Sequence, residues 1–128
     1  MFFNSISEEK LVPIEGLDGV DGIKIQWLLP PECGMPNFEM RYFEIKKGGY
    51  CRKEQHPWEH VVLIVKGKGI VVTESGEKLV KPGDAILVEP NDLHQFKSTD
   101  EDDFGFICSV MNGAEDHVLN QFKPDKLF

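Results

Sequence analysis

The segment Glu54-Gln55-His56-Pro57-Trp58-Glu59-His60 decides how this chain can be read. It holds two histidines and a leading glutamate, and a further histidine, His94, ends the segment Pro90-Asn91-Asp92-Leu93-His94. Imidazole nitrogens and a carboxylate form a ligand set that suits a divalent transition metal. Because three of the four histidines of the chain lie in these two segments, we expect the fold to bring the segments together around one metal.

The sequence around the two segments predicts an all-β protein, because short apolar runs alternate with turns and helix signals are almost absent. Gly and Pro interrupt the runs at intervals of roughly ten residues, which is typical of a sandwich or a small barrel. Residues 112–128 are predicted to form a tail or a short C-terminal helix. Strands are predicted at residues 22–29, 37–45, 61–65, 70–74, 85–88 and 104–110.

Three details of this pattern can be checked against a structure. Residues 61–65 are five consecutive apolar residues, four of them β-branched, which favours a strand buried on both faces. Residues 46–49, Lys-Lys-Gly-Gly, are predicted to form a turn. In residues 104–110 alternate positions are apolar, so Phe104, Phe106, Cys108 and Val110 are predicted to face the core.

Length, charge and cysteine content exclude several classes of protein. A chain of 128 residues has room for one core, and its formal charge of −8 argues against a nucleic-acid or anionic-membrane partner. No segment approaches the roughly 20 apolar residues that cross a bilayer, and the N-terminus has no basic region of a signal peptide. Cys33, Cys51 and Cys108 are odd in number and widely spaced, which argues against disulfides. We therefore expect a cytoplasmic location.

The first segment resembles the first cupin motif, which has the form G-x5-HxH-x3-E-x6-G. The chain keeps every spacing of that motif between Gly48 and Gly67. Its three ligand positions are filled by Glu54, His56 and His60, so a glutamate stands first and a histidine stands third. The carboxylate has therefore changed places with an imidazole while the composition of the ligand set is kept.

The second segment is similar to the second cupin motif, G-x5-PxG-x2-H-x3-N. Gly83 and His94 keep their spacing, whereas the proline is displaced by one position to Pro90. Asn91 takes the place of the motif's glycine and also tolerates a positive φ, and Ser98 replaces the final asparagine. Two motifs with their spacing kept are a specific signal for the cupin fold.

The resemblance implies a small double-stranded β-helix, or jelly-roll barrel, and a homodimer. It implies one cupin domain over residues 1–128, with a barrel core at about 22–111, an N-terminal arm at 1–21 and a C-terminal tail at 112–128. The metal would be Fe, Mn, Ni, Zn or Cu. Glu54 either reaches it or bends away into the solvent. The ligand set that the resemblance implies is Glu54, His56, His60 and His94.

Strand parity predicts a pocket beside the metal, lined by Arg41, Phe43, Phe96, Phe106 and Cys108. An inward-pointing Arg41 would bind a substrate carboxylate, and at the barrel rim it would instead pair with a glutamate. Cys108 is expected to be a buried structural thiol. The remaining polar and aromatic candidates, Glu59, His117 and Trp58, are expected to be surface or packing residues.

Two classes of function follow from this site. The first is a metal-dependent oxygenase or dioxygenase acting on a small molecule, because coordination positions stay open for O₂ or substrate. The second is a non-catalytic protein that binds a metal or a small ligand, and a metal-dependent isomerase is a further member of the enzyme class. The sequence offers no second acid or base beside the ligands, which favours redox chemistry over proton transfer.

Overall fold

The computed structural model describes residues 1–128 and is built almost entirely of strands. Nine strands are joined by turns, and the only α-helix is a single turn near the C-terminus. The strands are β1 (Val12–Ile14), β2 (Asp21–Leu29), β3 (Phe38–Tyr50), β4 (His60–Lys66), β5 (Gly69–Thr73), β6 (Gly76–Val80), β7 (Ala85–Val88), β8 (His94–Ser98) and β9 (Phe104–Met111). The helices are α1 (Asp116–Leu119) and the 3₁₀ turns Glu8–Lys10, Pro31–Cys33 and Asn120–Phe122.

All nine strands belong to one antiparallel sheet that curls around the core. Its order is β6-β5-β8-β3-β9-β4-β7, with β2 also paired to β3 and β1 paired to β2. The long strand β3 contacts β2, β8 and β9, so it connects the parts of the sheet that carry the two histidine segments. The all-β jelly-roll class expected from the sequence is confirmed. The division into arm, core and tail stays a prediction.

The predicted turn at residues 46–49 is wrong, because β3 continues through it to Tyr50. Between the pairs Ile23↔Ile45 and Asp21↔Tyr50, β3 advances by more residues than β2, so the extra residues form a bulge in β3. Gly48 has a φ of 73° in this bulge, a conformation that glycine adopts without steric cost. The bulge lets one strand supply both Arg41 and the chain that leads into Glu54.

The prediction that residues 61–65 are buried on both faces is also wrong. Val62 and Ile64 are buried, whereas Val61 is 57% exposed and Leu63 is 43% exposed. Strand β4 lies in a sheet with one face toward the core and the other toward solvent, so its burial alternates. The run of β-branched residues therefore indicates a strand but not the burial of both its faces. Its outward-facing residues form an apolar stripe on the outside of the sheet.

The interior matches the prediction for residues 104–110. Phe104, Phe106, Cys108 and Val110 are all buried in β9. They join a core cluster rich in isoleucine, valine and phenylalanine that fills the concave side of the sheet. The short C-terminal helix is also found, at Asp116–Leu119. None of the helices is both long and apolar enough to cross a membrane.

Candidate metal centre

The fold brings the two histidine segments together through a backbone bridge. The Glu54 N–H donates to the His94 carbonyl at 2.9 Å, and the His94 N–H donates to the Glu54 carbonyl at 3.0 Å. Asn91, which has a φ of 69° as its motif position requires, donates its N–H to the His56 carbonyl at 2.7 Å. His60 opens β4 on the neighbouring part of the sheet. Main-chain bonds thus fix the spacing of the cluster.

Local hydrogen bonds orient the three imidazole rings. His56 Nδ1 lies 2.9 Å from the Trp58 carbonyl oxygen, and His94 Nδ1 lies 2.8 Å from the Asp92 carbonyl oxygen. A carbonyl only accepts, so Nδ1 of each ring carries the proton and Nε2 keeps its lone pair. Such backing of a ligand histidine by a carbonyl is usual in metal sites.

His60 has a different partner from the other two. Its Nδ1 lies 3.1 Å from Cys108 Sγ, and a thiol can either accept or donate. Burial lowers the pKa of His60 to about 3, so the ring is neutral, the state that binds a metal. Burial also raises the pKa of the Cys108 thiol to about 11, which keeps that group protonated.

The three Nε2 atoms converge at a spacing that fits a metal ion. The ligand atoms of the cluster lie within 4.8 Å of one another, and His56 Nε2 is 2.9 Å from His60 Nε2. Two nitrogens bound to one ion at about 2.1 Å and at a right angle stand about 3 Å apart. The lone pair of His56 Nε2 is met either by an N–H of His60 Nε2 or, when both rings carry the proton on Nδ1, by a cation between the two nitrogens. The cluster of His56, His60 and His94 can therefore hold a divalent metal.

Two glutamates border this cluster, one beside His56 and one beside His60. Glu54 Oε2 lies 3.5 Å from His56 Nε2, while its Oε1 is 3.3 Å from Arg52 Nε. Glu115 Oε2 lies 3.7 Å from His60 Nε2, while its Oε1 is 2.5 Å from Arg41 Nη1. Glu54, His56 and Glu115 form a second group whose ligand atoms are within 4.8 Å of one another. Each carboxylate thus has one oxygen on an arginine and one toward the histidines.

Glu115 is the residue that the sequence reasoning missed, and the expectation of no further acid beside the ligands is wrong. It follows the last strand in a segment with no motif spacing, so the sequence carries no signal for it. Burial raises the pKa of Glu115, but the charge and hydrogen bond of Arg41, together with His60 and His56, more than offset this, so the pKa lies below its ordinary value. The side chain therefore enters the site as a carboxylate.

Arg41 projects from β3 into the interior and is fully buried. Its Nη1 contacts Glu115 and lies 3.7 Å from Glu39 Oε1, and its Nε and Nη2 lie 3.4 Å from the carbonyl oxygen and the sulfur of Cys108. The guanidinium thus ties the C-terminal segment to two strands. Arg41 therefore binds the carboxylate of Glu115, where the sequence suggested that it would bind the carboxylate of a substrate.

An apolar cavity of about 120 Å³ adjoins the histidines. The expected residues Phe43, Phe96 and Phe106 all line it. The distance between ring centroids is 5.6 Å for Phe43 and Phe106 and 4.8 Å for Phe96 and Phe106. Trp58 also lines it and stacks on the His56 ring at 4.1 Å. The N-terminal and C-terminal parts of the chain also contribute to the lining, with Ile14, Leu17, Val20, His117, Val118 and Leu119.

Comparison with protein families identifies the region that carries the site. Residues 41–110 match the model described as "Cupin domain", a span that covers more than half of the 128 residues and includes all three histidines. A protein of Rhodospirillum rubrum named 1-methylthio-D-xylulose 5-phosphate methylsulfurylase is 35% identical over 72 residues. That match covers 56% of this chain and 46% of the relative, so the chain spans about half the length of the curated protein that it matches.

Solved structures share the whole architecture. A cupin 2 conserved barrel domain protein from Rhodopseudomonas palustris superposes with a TM-score of 0.75 at 28% identity, over 89% of this chain and 81% of that chain. The polyketide cyclase RemF from Streptomyces resistomycificus gives a TM-score of 0.76 at 19% identity, over 86% of this chain and 80% of that chain. The second likeness concerns the fold alone.

Proposed function

The chain belongs to the cupin domain family, and we propose that it is a divalent-metal-dependent enzyme of the oxygenase or dioxygenase type that acts on a small molecule. One observation carries this proposal: the ligand atoms of three histidines lie within 4.8 Å of one another, and two of these histidines, His60 and His94, line an apolar cavity. A metal held there would face the space where a small molecule fits. Pockets of this kind, apolar with a few convergent polar groups, are typical ligand sites.

The residues of the site have two roles: some would bind the metal, and others line the pocket. His56, His60 and His94 would hold the ion, with Glu54 as a fourth ligand. The metal, when bound, supplies a Lewis acid and a redox centre with positions left for O₂ or substrate. Fe, Mn, Ni, Zn and Cu all suit imidazole ligands, and an anionic Glu54 favours Fe or Mn.

The charges in the lining support an apolar substrate, in contrast to the phosphorylated sugar in the name of the Rhodospirillum relative. Two arginines line the cavity, and each is already paired with a glutamate. A phosphate dianion would have to displace Glu115 from the buried Arg41 or Glu54 from the partly exposed Arg52. The stacked Phe43, Phe96 and Phe106 rings instead offer packing for an aromatic or aliphatic compound.

A second candidate function is metal-dependent proton transfer, as in an isomerase. Glu115 supports it, because its carboxylate lies 3.7 Å from His60 Nε2 and borders the cavity. A carboxylate beside a metal-bound substrate can move a proton between carbon atoms. The low basicity that Arg41 imposes on Glu115 makes it a weak base, so we keep oxygenase chemistry as the first candidate.

One experiment separates these candidates from a non-catalytic binder. Protein loaded with Fe²⁺ or Mn²⁺ is incubated in D₂O with a panel of small aromatic and diketone compounds, and O₂ uptake and deuterium incorporation are recorded together. An oxygenase consumes O₂ with a compound, whereas an isomerase incorporates deuterium without O₂ uptake. If neither occurs with any compound while the metal is bound, the enzyme proposal is withdrawn in favour of binding alone.

We further propose that the chain is a cytoplasmic homodimer. The apolar strand β2 is already paired with β1 and β3 in its own chain, so neither of its edges is open to a partner. The exposed apolar stripe of Val61, Leu63 and Leu87 on the outside of the sheet is the better candidate for the contact. Sedimentation should show a dimer that Leu63→Lys converts to a monomer with its metal retained. A wild-type monomer at micromolar concentration would contradict this.

A further inference from the structure

The segment after the last strand closes one side of the cavity and is weakly anchored by itself. Helix α1 has four residues, none of them buried, and a helix this short is not stable alone. Its backbone bonds join residues within the same segment, for example Leu119 N–H to the Glu115 carbonyl at 2.9 Å. Val118 and Leu119 reach the cavity wall, and Ala114 and Leu119 pack against the core, so side-chain contacts and not strand pairing hold the segment over the pocket.

Glu115 is the main polar anchor of this segment. Its side chain is only 12% exposed, and Oε1 is held by a guanidinium that is itself fully buried on β3. The second oxygen, Oε2, accepts no hydrogen bond from a protein group and faces His60 Nε2 at 3.7 Å. A carboxylate oxygen and an imidazole nitrogen at this distance face each other favourably when a proton on Nε2 or a metal cation lies between them.

We propose that Glu115 is a further metal ligand, and that a metal bound by the histidines fastens the C-terminal segment (residues 113–119) over the pocket. The proposal rests on the metal-dependent function proposed above. Two atoms bound to one ion at about 2.1 Å are at most about 4.2 Å apart, so a separation of 3.7 Å is within reach of a shared ion. Arg41 then acts as the outer partner that orients the ligand carboxylate.

A second contact, through His117 and Trp58, connects the segment to the histidine cluster. The His117 ring meets Trp58 edge-on at 6.1 Å, and Trp58 stacks on His56. A metal that fixes the His56 ring therefore also fixes the surface on which the segment rests. The expected consequence is an ordered segment with metal and a more open one without it, which controls access to the cavity.

Hydrogen–deuterium exchange of residues 112–128, measured with and without saturating Mn²⁺, tests this coupling. In the wild type, Mn²⁺ should slow exchange of the segment roughly tenfold. In Glu115→Gln the histidines should still bind Mn²⁺, with affinity reduced roughly tenfold, and saturating Mn²⁺ should no longer slow exchange there. The matched control is Asp116→Asn, which changes the adjacent exposed carboxylate and should behave as the wild type.

Metal binding and hydrogen exchange of the segment are measured separately, so the experiment distinguishes failure of the metal-dependent function from failure of the role proposed for Glu115. If the wild type binds Mn²⁺ and exchange of the segment is unchanged, the role of Glu115 is refuted and the metal-dependent function stands. If the wild type binds neither Mn²⁺ nor Co²⁺, both proposals fall. Should Glu115→Gln not fold, Glu115→Asp keeps the charge and shortens the reach, and an unchanged Co²⁺ absorption spectrum in that variant would overturn the inference.

Discussion

The histidines and the glutamates of the candidate metal centre are held by different means. His56 and His94 are each oriented by a backbone carbonyl only two residues away. Glu115, by contrast, is held by an arginine 74 residues away in the chain, and Glu54 by a partly exposed one. A carbonyl on a strand or tight turn is a fixed partner, whereas an ion pair between side chains can open. The histidines should therefore determine whether metal binds, and the glutamates should tune how it binds.

Loss of one histidine is expected to have the largest effect. His94→Ala removes a ligand and leaves the other two Nε2 atoms unable to hold the ion. Metal affinity should fall by more than the roughly 100-fold that loss of an outer partner can cost. The measurement is metal content by elemental analysis after dialysis against Mn²⁺, with His117→Ala as a control that should keep its metal. Equal metal in His94→Ala and the wild type would show that the site lies elsewhere.

Removal of Arg41 should cost the most stability on the glutamate side. Arg41→Met leaves the buried Glu39 and Glu115 without their cation, which should destabilise the fold by about 3–5 kcal/mol. Urea unfolding followed by fluorescence measures this. Arg52→Met, which breaks the exposed pair with Glu54, should cost no more than about 1 kcal/mol.

A double variant checks the cause of that loss. Adding Glu115→Gln to Arg41→Met removes one unpaired charge and should recover part of the lost stability. If the double variant is as unstable as the sum of both single changes, the ion pair is not what Arg41 contributes. Similar losses for Arg41→Met and Arg52→Met would likewise remove the distinction between the buried and the exposed arginine.

Motif spacing was sufficient for the parts of the site that depend on local geometry. The positive φ at Asn91 and the convergence of His56, His60 and His94 follow from it, because both motifs carry their ligands at fixed positions between strands of one recurring fold. Glu115 could not be found in this way. Its approach depends on where the chain runs after β9 and on a pairing with Arg41 across the barrel, and neither leaves a pattern in the sequence.

The fold shows the same division. The alternation of apolar residues predicted which side of β9 is buried. Side chains point to opposite faces at successive residues of any single strand, so this prediction needs no knowledge of the neighbouring strands. The errors at residues 46–49 and 61–65 both concern neighbouring strands. The bulge in β3 depends on its register with β2, and the exposed face of β4 depends on what covers the sheet from outside. Both depend on tertiary contacts, which the β-propensity of a single segment does not predict.

Cys108 offers an intermediate test, because among the Nδ1 partners of the three histidines it is the one that is a side chain. Cys108→Ala removes the group that contacts His60 Nδ1 and should weaken metal binding by about 10–100-fold. Cys108→Ser keeps a group that donates and accepts, so it should recover most of that affinity. Competition with a chromophoric chelator gives the dissociation constants, and Cys51→Ser, a second pocket thiol, is the control.

The two cysteine variants separate orientation from packing. If Cys108→Ala and Cys108→Ser weaken metal binding equally, the sulfur contributes through its volume in the core and not through its contact with the ring. If Cys108→Ala binds metal as the wild type does, His60 needs no partner at Nδ1, and strand position alone orients it.

The smallest effect is expected at Glu54, the ligand that the motif places first. Its side chain is 29% exposed and shares its charge with Arg52, so water and the arginine both compete with the metal for its oxygens. Glu54→Gln should lower Mn²⁺ affinity by about tenfold, which corresponds to about 1.4 kcal/mol. Because the imidazoles supply a larger share of the binding of Cu²⁺ and Ni²⁺, the loss should be smaller for those ions. Glu59→Gln, an exposed carboxylate in the same segment, should change neither affinity. An unchanged Mn²⁺ affinity in Glu54→Gln would mean that Glu54 serves only its pair with Arg52, and a loss as large as that of His94→Ala would place it among the fixed ligands.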